Sequence, residues 1–225
     1  SNMNDFSAES PQNYEQKSIC CFVVDVSGSM SGEPIKALNE SMKHFHEQIL
    51  QNSTTANRLE IAIVEFSNTA QIMQEPALAA DFVMPELVTK GSTALVDGVK
   101  EAINLVNTRK TWYKSTGQPY LRPWIILITD GAPDANQDID GLAVQIQTSV
   151  TNKKFVFLSI GVKGADMGVL HKISSPDMPP AQLEGLKFDE FFSWVSASMS
   201  IVAGSKEGDQ IDLPAPNTWM TGFKI

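Results

Sequence analysis

Five side chains in three separated segments offer oxygen and neither sulfur nor nitrogen: Asp25, Ser27 and Ser29 in DVSGSM, Thr93 in GSTAL, and Asp130 in ITDG. Oxygen-only sets suit hard divalent cations, and Mg²⁺ holds to near-octahedral geometry with positions left for water or a partner. Three of the five are neutral hydroxyls, so only Asp25 and Asp130 can offset a divalent charge. A cation held this way keeps net positive character and an open position, which makes it a receptor for an anionic oxygen. In an extended Asp-x-Ser-x-Ser run, positions 25, 27 and 29 point to one side, and Gly28 lets the loop turn without a Cβ penalty. The expected ion is Mg²⁺, with Mn²⁺ as the alternative. Met30, Gly91, Ser92 and Asp134 are expected on the rim, where a partner would touch. Asp134, beside Pro133, also reads simply as a turn residue.

Catalytic readings fit less well. Asp25 with Mg²⁺ could serve as the nucleophile of a phosphohydrolase of the haloacid-dehalogenase type, and this is the alternative function. That chemistry needs a second Asp two positions on, where Ser27 stands, and a lysine clamp that no segment offers. Gly28-Ser29-Met30-Ser31-Gly32 has Met30 at the centre, where a nucleophile elbow needs Ser. Neither a dinucleotide fingerprint nor a P-loop occurs. His44 and His46 are two apart and do not share a helical face, which argues against zinc.

The elements that must position these groups alternate between strand and helix. Ile19 to Val24 is continuously apolar, as a strand covered on both faces should be. Pro34 suits the first turn of a helix, and Ile35, Leu38, Met42, Phe45 and Ile49 form its apolar stripe. Leu59 to Phe66 and Ala70 to Met73 read as a hairpin across Ser67-Asn68-Thr69, which places one antiparallel strand at an edge. Ser92 is expected to cap a helix in which Leu95, Val99, Ala102, Ile103 and Val106 face inward. Trp124 to Thr129 and Phe155 to Ile160 are further strands, with a helix through Ile139, Leu142, Ile146 and Val150 between them. Prolines make 173–181 a loop, a short strand is expected around Gln182 and Leu183, and a last helix spans Lys187 to Val202. The pattern predicts an α/β fold: a doubly wound, mostly parallel sheet with one antiparallel edge strand and helices on both faces. Ligands on such sheets sit at the carboxyl ends of strands, where Asp25 and Asp130 fall.

The chain has 225 residues, 42% hydrophobic and 19% charged, with a net charge of −9. This fits one domain over 17–203, a loose polar N-terminus over 1–16, and a C-terminal extension over 204–225 packed back on the domain. Ser1 and Asn2 before Met3 look like an expression scar. The acidic balance argues against nucleic acid as a partner, and no run reaches the roughly 18 apolar residues of a membrane helix. Adjacent Cys20 and Cys21 point to opposite faces of a strand and are expected to be buried free thiols. With no basic-then-apolar start visible, a cytoplasmic location is expected. Trp112, Tyr113 and Tyr120, in the connection from Arg109 to Arg122, read either as a partner surface or as packing over the sheet edge.

DVSGSM, GSTAL and ITDG together resemble the metal-ion-dependent adhesion site of von Willebrand factor A domains. Arg122-Pro123-Trp124 leading into ITDGAPD, Gly32-Glu33-Pro34-Ile35, and the run from Phe191 to Ser198 are similar to bacterial TerY-type proteins, linked to tellurite resistance and stress. The resemblance runs from about residue 17 to the C-terminus. It implies a non-catalytic interaction module whose partner presents an Asp or Glu to the metal, and a kinase or phosphatase as that partner.

Overall fold

The computed structural model describes residues 5–216 and 219–221. Among these residues seven strands form one sheet: β1 (Ser18–Asp25), β2 (Leu59–Phe66), β3 (Ala70–Leu78), β4 (Trp124–Thr129), β5 (Val156–Gly161), β6 (Ala181–Leu183) and β7 (Met220–Thr221), in the order β3-β2-β1-β4-β5-β6-β7. The pairs β2–β1–β4–β5–β6 are parallel, and β3 is antiparallel to β2 at one edge. The two-residue β7 adds a second antiparallel strand at the other edge, beyond the single one expected. Every residue of β1, β2 and β4 is buried, which is why these segments show no polar–apolar alternation, Glu60 and Glu65 of β2 being buried as well.

Among the described residues six α-helices cover the sheet: α1 (Glu33–Gln51), α2 (Ser53–Arg58), α3 (Leu95–Thr116), α4 (Ile139–Thr151), α5 (Met167–Ile173) and α6 (Phe188–Gly204). On one face Cys20, Phe22 and Val24 pack with Leu38, Met42 and Phe45 of α1 and Phe191, Phe192 and Val195 of α6. On the other, Ile19, Cys21 and Val23 pack with Val99, Ile103 and Val106 of α3 and Leu142 and Ile146 of α4. The two thiols do enter opposite layers, free and buried, and burial pushes Cys21 up to about 12. The strand order reverses between β1 and β4, so the crevice used by doubly wound sheets opens where Asp25 and Asp130 lie.

The structure departs from the sequence expectations in several places. β3 continues past Met73 to Leu78, through Pro76, because an edge strand can spare the N–H that proline lacks. Ser92 does not cap α3; Ala94 occupies the N-cap position without a side-chain bond, and the Ser92 hydroxyl donates instead to Asn68 Oδ1 at 2.8 Å. The short α5 precedes the loop expected over 173–181, and Asp166 caps it by accepting from the Val169 N–H. The C-terminal segment returns along the domain, with the Trp194 indole N–H donating to Pro214 O at 2.7 Å and Trp219 buried against Phe191. Phe223, Ser1 and Asn2 lie outside the described residues.

The expectation of a loose N-terminus does not hold for residues 5–16. α3 runs on to Thr116, so Trp112 and Tyr113 are buried helical residues and not a partner surface. One turn earlier on that helix, Arg109 is 1% exposed. Its guanidinium donates to both carboxylate oxygens of buried Glu60, at 2.8 and 2.5 Å, and to both of Glu9, at 2.9 and 2.8 Å. It also stacks on Trp112 with its carbon 3.8 Å from the ring centroid, and Phe6 closes over the group. Tyr113 donates its hydroxyl to Glu60 as well. A polar-looking arm is thus tied down by a charge that composition does not reveal. Arg109→Ala should cost about 3–5 kcal/mol, since it leaves Glu60 buried and short of a counter-charge. Urea denaturation reads that cost, and a loss under about 1 kcal/mol would contradict the network.

Candidate functional site

Two segments of the predicted oxygen set, around Asp25 and Asp130, lie at the carboxyl ends of β1 and β4, and the third, around Thr93, just precedes α3. Asp25 closes β1 and is fully buried, and Ser27 is 3% exposed. The Asp25 carboxylate is held on two sides: Oδ1 accepts the Ser27 N–H at 2.8 Å, and Oδ2 accepts the Thr129 hydroxyl at 2.7 Å. Ser29, in a turn of 3₁₀ helix over Gly28–Met30, is exposed. Its hydroxyl donates to Asp130 Oδ1 at 2.7 Å and lies 3.0 Å from the Ser27 hydroxyl. Ser27, Ser29 and Asp130 therefore form one chain of contacts across the end of the sheet.

Thr93 and Asp25 join that chain around Gly131. A Cβ on Gly131 would stand 3.9 Å from Asp25 Oδ2, 3.9 Å from Ser29 Oγ and 4.0 Å from Thr93 Oγ1. All five side chains thus share one small patch, and a side chain at position 131 would intrude into it. No three His, Cys, Asp or Glu side chains gather into a metal-binding group among the described residues. Any cation site on these residues must draw on hydroxyls, as this patch does.

Thr93 is positioned by residues the sequence reading did not credit. Asp134 accepts the Thr93 N–H on both carboxylate oxygens at 3.0 Å, and its own N–H donates to Thr93 O at 3.0 Å. Gln137 donates to Thr93 O at 2.8 Å and accepts from the Val96 N–H at 2.8 Å, tying the loop to the start of α3. Asn68 accepts from the Ser92 N–H at 2.7 Å. Gly91 has φ +66°, and a Cβ there would sit 2.5 Å from Asn68 Oδ1, so glycine is required by both backbone and space. Gly91 O in turn accepts the Gly28 N–H at 3.2 Å, joining the two loops. Asn68 was visible only as a hairpin turn, and Gln137 carried no sequence signal.

The rim differs from expectation at two positions. Met30 is fully buried in the core and cannot meet a partner. Asp134 is a clamp on Thr93 more than a contact surface, while Gly91 and Ser92 are exposed. His44 and His46 lie on α1, the first beside Asp189 at 3.1 Å and the second 2.6 Å from Ala79 O.

The von Willebrand factor type A domain profile matches residues 20–188. The chain belongs to the von Willebrand factor type A family. Among solved structures it is similar to a von Willebrand factor type A protein from Catenulispora acidiphila, with TM-score 0.63 and 20% identity over 83% of this chain and 43% of that one. It is also similar to the pilus adhesin SpaC from Lactobacillus rhamnosus GG (TM-score 0.63, 15% identity, 84% of this chain and 30% of that). A third is proximal thread matrix protein 1 from the mussel byssus with a zinc-occupied MIDAS motif, at TM-score 0.52 and 20% identity over 84% of this chain and 45% of that. The chain thus spans less than half the length of these proteins, and at such identities the likeness shows the fold. A comparison with curated protein sequences found no match. Von Willebrand factor type A domains often carry a divalent-metal site and mediate protein–protein interactions, typically without catalysis.

The electrostatics of the patch favour a cation. Burial pushes the Asp130 carboxyl up, the Ser29 hydrogen bond draws it down, and the Asp25 charge pushes it up again, leaving it above the ordinary value of 3.8. Ionising Asp130 is then harder in the folded chain than in the unfolded one. Its stability contribution is complete below that ordinary value and is lost as pH rises through the raised one. In chelator at neutral pH, Asp130→Asn should therefore raise the melting temperature slightly, and the gain should vanish near pH 3. The amide oxygen can still accept from Ser29. A lower melting temperature for the variant at pH 7 would mean that the carboxylate stabilises the metal-free fold.

Proposed function

We propose that this domain is a non-catalytic, cation-dependent protein-interaction module. Asp25, Ser27, Ser29, Thr93 and Asp130 would hold Mg²⁺, with Mn²⁺ as a substitute, and a partner would add an Asp or Glu oxygen. The observation that carries this reading is the convergence of three hydroxyls and two carboxylates on the space beside Gly131, with Ser29 open to solvent. The bound ion would supply a local positive point on a protein of net charge −9, attracting and selecting an acidic side chain. The zinc-occupied MIDAS motif of the mussel protein, on the same fold, supports a metal at this place.

The finer assignment rests on sequence phrases. Within the phrases that carry the likeness to TerY-type stress and tellurite-resistance proteins, Gly32, Glu33, Arg122 and Ser193 are exposed, while Trp124, Phe191, Phe192 and Val195 are buried. The buried residues speak for shared core packing and leave the choice of a kinase or phosphatase partner to be tested. A cytoplasmic site of action is supported by the free, buried thiols of Cys20 and Cys21. No described helix is long and apolar enough to cross a membrane.

Affinity capture from lysate with Mg²⁺, repeated in chelator, tests the reading. Capture should be lost in chelator and in Asp25→Ala and Thr93→Ala, while thermal melting shows both variants folded. Changing one acidic residue of the captured partner to its amide should weaken binding by about tenfold or more. Undiminished capture in chelator would overturn the proposal, and turnover of a generic phosphate ester that Asp25→Ala abolishes would replace it with the phosphohydrolase.

A further inference from the structure

At the pole opposite the oxygen patch the chain builds a cleft of about 660 Å³, within the range of small-molecule sites. Trp124 and Val156 begin β4 and β5 and line it, whereas Asp130 follows the other end of β4. A six-residue strand rises about 3.3 Å per residue, so the two poles are roughly 20 Å apart.

Six of the chain's 17 Lys and Arg residues line this cleft: Lys110, Lys114, Arg122, Lys153, Lys154 and Lys206. Among the described lining residues only Glu207 and Asp209 are acidic, and Asp209 accepts the backbone N–H of Lys206. The protein as a whole carries −9, so this concentration of positive charge runs against its balance. None of the six makes an ion pair with a described acid.

The cations are also placed. Lys110 and Lys114, four apart on α3, share a face, and the turn after α4 puts Lys153 and Lys154 across from them. The Lys110 ammonium donates to Lys154 O at 2.9 Å, which brings the two elements together. Burial, then the charges of Lys154 and Lys114, lower the Lys110 ammonium below its ordinary value, a sign of like charges crowded without an anion. Tyr120, stacked on Tyr113 with centroids 5.5 Å apart, lines the cleft, as do Leu121 and Leu213.

We propose that this cleft binds a multi-phosphate anion, with the phosphate chain held between the α3 lysines and the Lys153–Lys154 turn. Clustered ammonium groups act as point charges that bind phosphate oxygens without fixed geometry. A free polyphosphate and the triphosphate of a nucleotide share this chemistry; in the second case the Tyr120 side would take the base. The site is independent of the oxygen patch and of any cation there.

The test is calorimetric titration of the full chain with tripolyphosphate, ATP and inorganic phosphate, at low salt and in chelator. Tripolyphosphate should bind, inorganic phosphate should bind at least about tenfold more weakly, and added salt should weaken both. ATP binding tighter than tripolyphosphate identifies a nucleotide; equal binding identifies the polyphosphate chain alone. The double variant Lys114→Glu with Lys154→Glu, both exposed positions, should lose about tenfold or more, and Asp25→Ala should bind as the wild type does. Should the double variant melt early, Lys114→Gln alone serves, with a smaller loss expected. Absence of tripolyphosphate binding, or equal binding by the folded variants, would overturn the proposal. Loss in Asp25→Ala would do the same, since it would place the anion at the other pole.

Discussion

Two carboxylates brought together at the ends of neighbouring parallel strands are the constraint around which this domain is organised. Asp25 and Asp130 share a patch from which much of the water has been removed, and that burial first, then repulsion from the Asp25 charge, raises Asp130. The surrounding hydroxyls ease that repulsion without cancelling it. Ser27 N–H and Thr129 hydroxyl donate to Asp25, and Ser29 donates to Asp130. Residual negative charge, oxygen-only chemistry and an exposed edge together describe a place suited to a hard cation. They also explain why the loops are so tightly bonded to one another. Asn68, Asp134 and Gln137 fix Thr93 through its backbone, leaving the side-chain hydroxyl to face the patch.

Much of this was legible in the sequence because it depends on local pattern. Runs such as WIILIT are apolar throughout only where both faces are covered, so strand positions and the parallel sheet follow directly. The ligand segments were legible because doubly wound sheets place chemistry at strand ends, and Asp25 and Asp130 stand there. What failed depended on contacts between segments distant in sequence. Met30 looked like a rim residue by its position in DVSGSM, yet the turn drives it into the core. Ser92 had a capping residue's chemistry, but Asn68, 24 residues earlier, captures its hydroxyl. The N-terminal arm looked loose because nothing local foretold that Arg109 would demand a second carboxylate from Glu9.

The buried charge of Arg109 and the surface charge of the basic cleft show how strongly this acidic chain segregates its cations. At one site a single guanidinium is desolvated and fully paired, which locks the arm to α3. At the other, five lysines and Arg122 stand together without an ion pair to a described acid, in keeping with the proposed anion site. The oxygen patch lies at the far end of the sheet from the cleft. A domain with two such poles can hold a partner at one and an anion at the other with little direct electrostatic interference, since a separation of roughly 20 Å exceeds the physiological Debye length of about 8 Å.

The central claim is that the five oxygen side chains close around one cation. Diffraction from crystals soaked in Mn²⁺, with an anomalous difference map, addresses it directly. A single strong peak beside Gly131 is predicted, within about 2.5 Å of oxygens from Ser27 and Ser29 and no farther than one water from Asp25, Thr93 and Asp130. A peak elsewhere on the molecule, or none at saturating Mn²⁺, would contradict the account.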